Sequence, residues 1–416
     1  MRADEFTGDL DSPKAPKSLK LQNSDSSNAI LDKKLDRVLS QAVHSDPSLE
    51  ELLHLSPVSV EEDILPQFDS IARSLVQDHH LVVSNGATRT AYQILELELY
   101  YFRPGCHEDP FTHGSEEQKE SGQWYFHRAP RKSITSLDSP VGTNGYRGGT
   151  RKGLDLTISS SRTRVSQGFA AETSDASSKR PKDRGGVLLR TIRRCSDAKV
   201  ISGPSLLVDE ILRASGASSI TELVTVKWKG CISAFPPTAQ DKGFEETPVI
   251  SLSLERIERF PDTMRPRIFR SPRIGLDLSN PDIPSDRPLT HPRVIFVSRP
   301  YRFFIHPHLL TANGRGQTFL GVYRSCESCG TMDEYQLLNE VVRLTGLKMP
   351  TAVKYLSEYK RGVTAGELRT FIGASGKGAS ASPMSFLKLM GILQRLQGDL
   401  NSVSQVALDG RCTSYT

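Results

Sequence analysis

From Ile94 to Phe102 the chain reads ILELELYYF, with apolar and acidic side chains alternating up to an aromatic end. A period of two is the mark of a strand, where successive side chains face opposite ways. Leu95, Leu97, Leu99 and Tyr101 then share one face, and Ile94, Glu96, Glu98, Tyr100 and Phe102 the other. The leucine face is core. On the second face two carboxylates stand roughly 7 Å apart along the strand, among aromatic and aliphatic neighbours and without a lysine. Two readings follow: a surface strand whose acids are solvated, or a catalytic acid beside an aromatic platform.

The flanking segments supply the rest of a sheet. "LPQFDSIARSLVQDHHLVVSNG" predicts a helix with Phe68, Ile71, Leu75 and Val76 on one face, then a strand, then a turn at Asn85-Gly86. After ILELELYYF comes a polar loop with His107 and His113, an aromatic strand from Gln123 to Arg128, and a glycine-rich basic turn leading into "GLDLTIS". "GGVLLRTI" reads as a buried strand, and "SGPSLLVDEILRASG" as a helix with Pro204 in its first turn. Further strands are expected near Val224 to Trp228 and Val249 to Leu254. Beyond Asn313 the pattern turns helical. Thr331 with Glu334, and Thr364 with Glu367, have capping-box spacing, and Ser382-Pro383 opens a last helix with Phe386, Leu389, Leu393 and Leu396 along one face.

The expected fold is therefore α+β: a mixed single domain around a curved, mainly antiparallel sheet over residues 58–312, with Ser-rich insertions at 129–145 and 158–184. A linker and a small helical bundle of its own follow at 313–416. Residues 1–57, rich in Ser, Asp, Lys and Pro apart from an amphipathic stretch near Ile30 to Val43, are expected to be disordered. No basic start leads into an apolar run, and no window reaches the ~18 apolar residues of a membrane helix. A soluble, intracellular protein is expected, nuclear or cytoplasmic, with no membrane partner. "SSKRPKDRGG", spanning Lys179 to Arg184, resembles a short import signal. Six scattered cysteines form no disulfide framework, and "CESC" at Cys326 to Cys329 is half of a zinc pair with no second half at ribbon spacing. We expect no metal and no cofactor. The formal charge of +5 permits a polyanionic partner without demanding one.

Taken in order, the pieces resemble the alkyladenine (3-methylpurine) DNA glycosylases from about Ile64 to Leu310. The resemblance rests on "IARSLVQDHHLVVSNG"; on an E-x-E-x-Y strand, Glu96 to Tyr100; on a loop to His113; and on "GQWYFHR", "GYRGGTRKGLDLTIS", "GGVLLRTI", "SGPSLL", "SPRIGLDL" and "RPYRFFIHPHLL". It implies hydrolysis of the N-glycosidic bond of a flipped, alkylated or deaminated purine in double-stranded DNA by a monomeric enzyme. Glu98 would activate water and Arg190 would sit near that water. Tyr100 and His113 would sandwich the base, and Asp155 would stand at the pocket floor. Tyr146, with Arg147 beside it, would contact DNA and fill the vacated stack. A base inside a duplex is out of reach, so such enzymes extrude it at a cost of a few kcal/mol. Stacking on aromatic faces returns roughly 1–3 kcal/mol per base.

The sequence departs from that pattern in two places. Where the family has a basic loop after the histidine, "GSEEQKESG" is acidic, and Asp155 stands where the family usually has Asn. An alternative is therefore a degenerate glycosylase fold that binds nucleic acid, or a protein through its C-terminal helices, without catalysis. A glycoside hydrolase built on Glu96 and Glu98 is disfavoured, because that chemistry needs acids on opposite sides of the bond.

Overall fold

The computed structural model describes residues 47–55, 64–86, 88–129, 145–160, 183–235, 250–258, 261–280, 282–284, 286–330 and 332–412. Most of the two Ser-rich insertions, the amphipathic stretch near Ile30 and four residues of the basic run at 179–184 lie outside them.

The alternating segment is the middle of the longest strand. Strand β1 (His79–Asn85) turns through Gly86, whose φ of +59° a side chain would resist, into β2 (Thr88–Arg103). Around them form β3 (His107–Glu108), β4 (Trp124–Phe126), β5 (Leu154–Ile158), β6 (Arg184–Arg194), β7 (Val200–Ser202), β8 (Ile250–Arg256), β9 (Phe269–Ser271) and β10 (Arg302–Phe304). The order is β4-β5-β6-β2-β1-β8, with β3 and β10 also on β2, β7 on β6 and β9 on β10. Among the described residues every pairing between these strands is antiparallel and the sheet does not close. This is the expected α+β architecture.

Helices supply the cover. They are α1 (Leu49–Leu53), α2 (Ile64–Arg73), α3 (Pro204–Ala214), α4 (Ile220–Glu222), α5 (Pro292–Val297), α6 (Arg315–Glu327), α7 (Glu334–Thr345), α8 (Met349–Ala365), α9 (Lys377–Ala381) and α10 (Pro383–Cys412). Phe68 and Ile71 of α2, and Leu75 and Val76 of the π-helical turn Ser74–Asp78 that continues it, are all buried. Among the described residues no helix is long and apolar enough to cross a membrane.

Four expectations need correction. Residues 48–55, expected to be disordered, are part of the fold: Ser48 and Glu51 cap α1 reciprocally, and Leu49, Leu53 and Leu55 are buried. The segment Val224 to Trp228 is helical rather than extended. Ser219 caps α4, a wide turn continues it through Leu223–Lys227, and the Trp228 N–H donates to the Leu223 carbonyl at 2.8 Å, so capping overrides the β-branched Val-Thr-Val. The cap of α7 is Asp333 with Gln336, and Thr364 lies in the last turn of α8, where its hydroxyl donates to the Lys360 carbonyl. Finally, the C-terminal helices belong to one compact unit with the sheet. At Gly321 of α6 a Cβ would stand 2.5 Å from the Arg270 carbonyl oxygen and 3.1 Å from the Phe304 ring.

Candidate active site

Both acids of β2 are buried, Glu96 at 3% and Glu98 at 4% relative exposure. That excludes the solvated-face reading. Buried charges need partners, and two irregularities in the β2–β6 ladder help to provide them. Pairing runs Ile94 to Ile192, Glu96 to Thr191 and Leu97 to Leu189, so Leu95 on β2 and Arg190 on β6 are each left without a cross-strand partner. Their carbonyls are taken by other elements, Leu95 by the N–H of Ile305 and Arg190 by that of Gly203. Such bulges re-aim a side chain. Here the Arg190 guanidinium lies between the acids, Nη1 3.1 Å from Glu98 Oε2 and Nε 3.3 Å from Glu96 Oε1. Arg302, fully buried, donates from Nε to Glu96 Oε1 at 2.7 Å, from Nη1 to Ser271 and from Nη2 to Thr318 of α6. The cluster holds two cations and two anions. Burial works against the Glu96 carboxylate, yet Arg302 and then Arg190 hold it below the usual range. The same acids raise the Arg190 guanidinium against the opposing effect of its burial.

Glu98 has a second donor. The backbone N–H of Ile274 reaches Oε1 at 2.6 Å. Its neighbour Arg273 grips Asp109 with both Nη atoms, at 2.7 and 3.1 Å, and so anchors the loop that leads to His113. Gly275, at φ +81°, takes the left-handed turn that follows. The segment "SPRIG" thereby ties the acid and the loop together.

Towards β4 the same sheet face becomes a second polar cluster. Glu98 and Asp155 both pair with Leu188, from opposite sides, so their backbones are two strand spacings or roughly 10 Å apart. Tyr100 lies opposite Gly186, where a Cβ would meet the Tyr100 hydroxyl at 2.6 Å. That hydroxyl donates to Asp155 Oδ2 and accepts from Gln118 Nε2 at 2.8 Å. His127 Nε2 stands 3.0 and 3.1 Å from the two oxygens of Asp155. Asp155 is fully buried, and burial, then the Glu98 charge, raises its carboxyl well above the usual range. His127 is pushed down to about 3 by burial, then by His113 and Arg147. Burial thus works against both the carboxylate of Asp155 and the imidazolium of His127.

The expected site residues thus fall into two groups. Glu98, Arg190, Tyr100, His113 and Asp155 come together on one face. The rings of Tyr100 and His113, however, are 5.8 Å apart at 85°, edge to face. A base stacked between parallel rings needs about 7 Å between them, two contact distances of ~3.5 Å, so His113 must turn aside to admit one. Burial, then Arg147, lowers His113. Tyr146 is half-buried, its ring 6.0 Å from Phe126 and 3.9 Å beneath the Arg128 guanidinium, which Glu117 of the acidic loop pairs with. Arg147 donates from Nε to the Arg128 carbonyl. The acidic loop therefore packs onto the aromatic strand and sends Gln118 to Tyr100. Sequence reasoning missed His127, Gln118, Arg273 and Arg302. His127 lies two residues beyond Tyr125, the cross-strand partner of Asp155, a pairing that no sequence window reveals.

No protein-family model matches the chain. An uncharacterised protein of Acanthamoeba polyphaga mimivirus is 27% identical over 156 residues, 38% of this chain and 61% of the viral protein. The chain thus spans about three fifths of that relative's length.

Proposed function

We propose that the protein is a DNA base-excision glycosylase that hydrolyses the N-glycosidic bond of an extruded, alkylated or deaminated purine. The observation that carries this reading is Glu98: a buried carboxylate with one oxygen on Arg190 and the other on the Ile274 N–H, on the face that also presents Tyr100 and His113. In this reading Glu98 takes a proton from water, which attacks the sugar carbon, while Arg190 fixes the orientation of the carboxylate. Tyr100 and a displaced His113 hold the base by its faces. Tyr146, released from beneath Arg128, fills the gap left in the duplex.

A duplex oligonucleotide carrying hypoxanthine or an alkylated purine should lose that base, and Glu98→Gln should slow the loss by about 10²–10⁴-fold, the usual contribution of a positioned base. Equal rates for the two proteins would refute the reading. The closed contact of Tyr100 with His113 favours a second reading, a catalytically silent nucleic-acid binder. Salt-dependent duplex binding by both proteins without base release would select it.

A further inference from the structure

Two of the cysteines stand one turn apart where α6 ends: Cys326 in its last turn and Cys329 two residues beyond it. The chain keeps turning between them. The Ser328 N–H donates to the Arg324 carbonyl at 3.0 Å and the Cys329 N–H to that of Cys326 at 3.2 Å. Ser328 itself holds helical angles, φ −64° and ψ −15°. Residues three apart on such a turn have Cα atoms roughly 5–6 Å from each other, which is within the range disulfides span. The two thiols differ in their surroundings. Cys326 is buried, and burial raises its thiol; the Cys329 charge acts on it as well, so the sulfurs are neighbours. Cys329 is exposed, and its sulfur lies 3.8 Å from Nη2 of Arg267. That guanidinium is held in place. The same nitrogen reaches the Ser325 carbonyl and hydroxyl, each at 2.7 Å, and the group lies 5.2 Å from the centre of the Phe269 ring. A fixed cation beside an exposed sulfur is the setting in which cysteines attack oxidants. It also offsets the carbonyl end of α6, whose partial negative charge opposes a thiolate there.

We propose that Cys326 and Cys329 are a reversible redox pair, with exposed Cys329 attacking a hydroperoxide and buried Cys326 closing a disulfide onto it across the last turn of α6. The proposal stands apart from the glycosylase reading. In the first step the Cys329 thiolate bonds to one peroxide oxygen and the O–O bond breaks. The other oxygen leaves as hydroxide, which takes up the proton the thiol has given, and Cys329 becomes a sulfenic acid. In the second step the Cys326 sulfur attacks that of Cys329. An S–S bond forms, the S–O bond breaks, and the departing hydroxide takes up the Cys326 proton. Two electrons have passed from the thiols to hydrogen peroxide, and two waters have formed. An external dithiol reverses the bond by exchange, starting at the exposed sulfur. The partners of Cys326 are arranged for this order: Arg343 and Glu340 of α7 stand near it with opposite charges, while Arg267 contacts Cys329.

The test treats the folded full-length protein with graded hydrogen peroxide at neutral pH, blocks the remaining thiols with N-ethylmaleimide and maps tryptic peptides by mass. Both sulfurs fall in one peptide, Ser325 to Arg343. That peptide should escape blocking and be about 2 Da lighter, the two hydrogens lost on oxidation, before the exposed Cys195 and Cys231 react. Dithiothreitol should restore it. Dimedone, which traps sulfenic acids, should label Cys329 in Cys326→Ser and leave it unlabelled in the unaltered protein. Arg267→Met should slow the oxidation about five-fold, the effect of one exposed charge some 4 Å away in water. Oxidation of Cys195 or Cys231 while Cys326 and Cys329 are still recovered as free thiols overturns the proposal. So does Cys329 passing to a sulfinic acid, or bonding to a second copy of the chain, with Cys326 still free. These outcomes are read on the unaltered protein, so the folding of the variants does not decide the result.

Discussion

Arg302→Met tests whether the four charges on the β2 face are held as a balanced set. The guanidinium is fully buried and donates to Glu96, Ser271 and Thr318. Methionine roughly keeps the volume and removes the charge. Two anions would then face Arg190 alone, and Ser271 and Thr318 would each lose a donor. Breaking a buried pair by deleting one partner costs about 3–5 kcal/mol, a drop of about 10²–10³·⁵ in the ratio of folded to unfolded protein. Urea denaturation followed by the fluorescence of Trp124 and Trp228, both buried, measures it. Adding Glu96→Leu restores neutrality, since Glu98 and Arg190 remain, so the double variant should be more stable than Arg302→Met. Glu96 is held below the usual carboxylate range in the folded protein. Its contribution is therefore present above the unfolded value and disappears as pH falls through the folded one. Arg302→Met should shift that loss to higher pH. A cost below about 1 kcal/mol, or single-variant costs that simply add in the double, would refute the argument.

Gly186→Ala would put a methyl 2.6 Å from the Tyr100 hydroxyl and 3.3 Å from Asp155 Cβ. Overpacking of this kind costs about 1–3 kcal/mol, and base release should fall with it although no reacting group has changed. Leu53→Ala should cost about 2–5 kcal/mol in urea denaturation, as for other buried leucines, because α1 is part of the core. Burial favours a protonated Glu210, but hydrogen bonds from Arg213, Arg194 and Tyr92 bring its carboxyl down to about 2. Its stabilisation is thus complete above about 4.5 and lost towards 2, and Glu210→Gln should flatten the stability profile across that window.

The sheet was legible where its information is local. The alternation in ILELELYYF, the Asn85-Gly86 turn and the apolar face of α2 each lie within one short window, and the structure places each as read. What was hidden depends on pairing. No window around Glu96 reveals Arg302, 206 residues away, nor that Leu95 and Arg190 fall out of register and turn a guanidinium towards the acids. The same holds for Asp155. Its departure from Asn was visible, but its surroundings, a ring on the continuation of β4 and a charge two strands away, were not. Val224-Thr225-Val226 misled because β propensity is weak against a capping serine at Ser219.

Arg302 also has a bearing on how this chain can be divided. Because its guanidinium joins an acid of β2 to the Thr318 hydroxyl of α6, a fragment that stops near residue 312 would strip cover from the very strand that carries Glu98. A fragment meant to keep this face intact therefore retains α1 and the helices after Gly314, and the segment that sequence pattern set apart as an appendage is tied through Arg302 to the central strand.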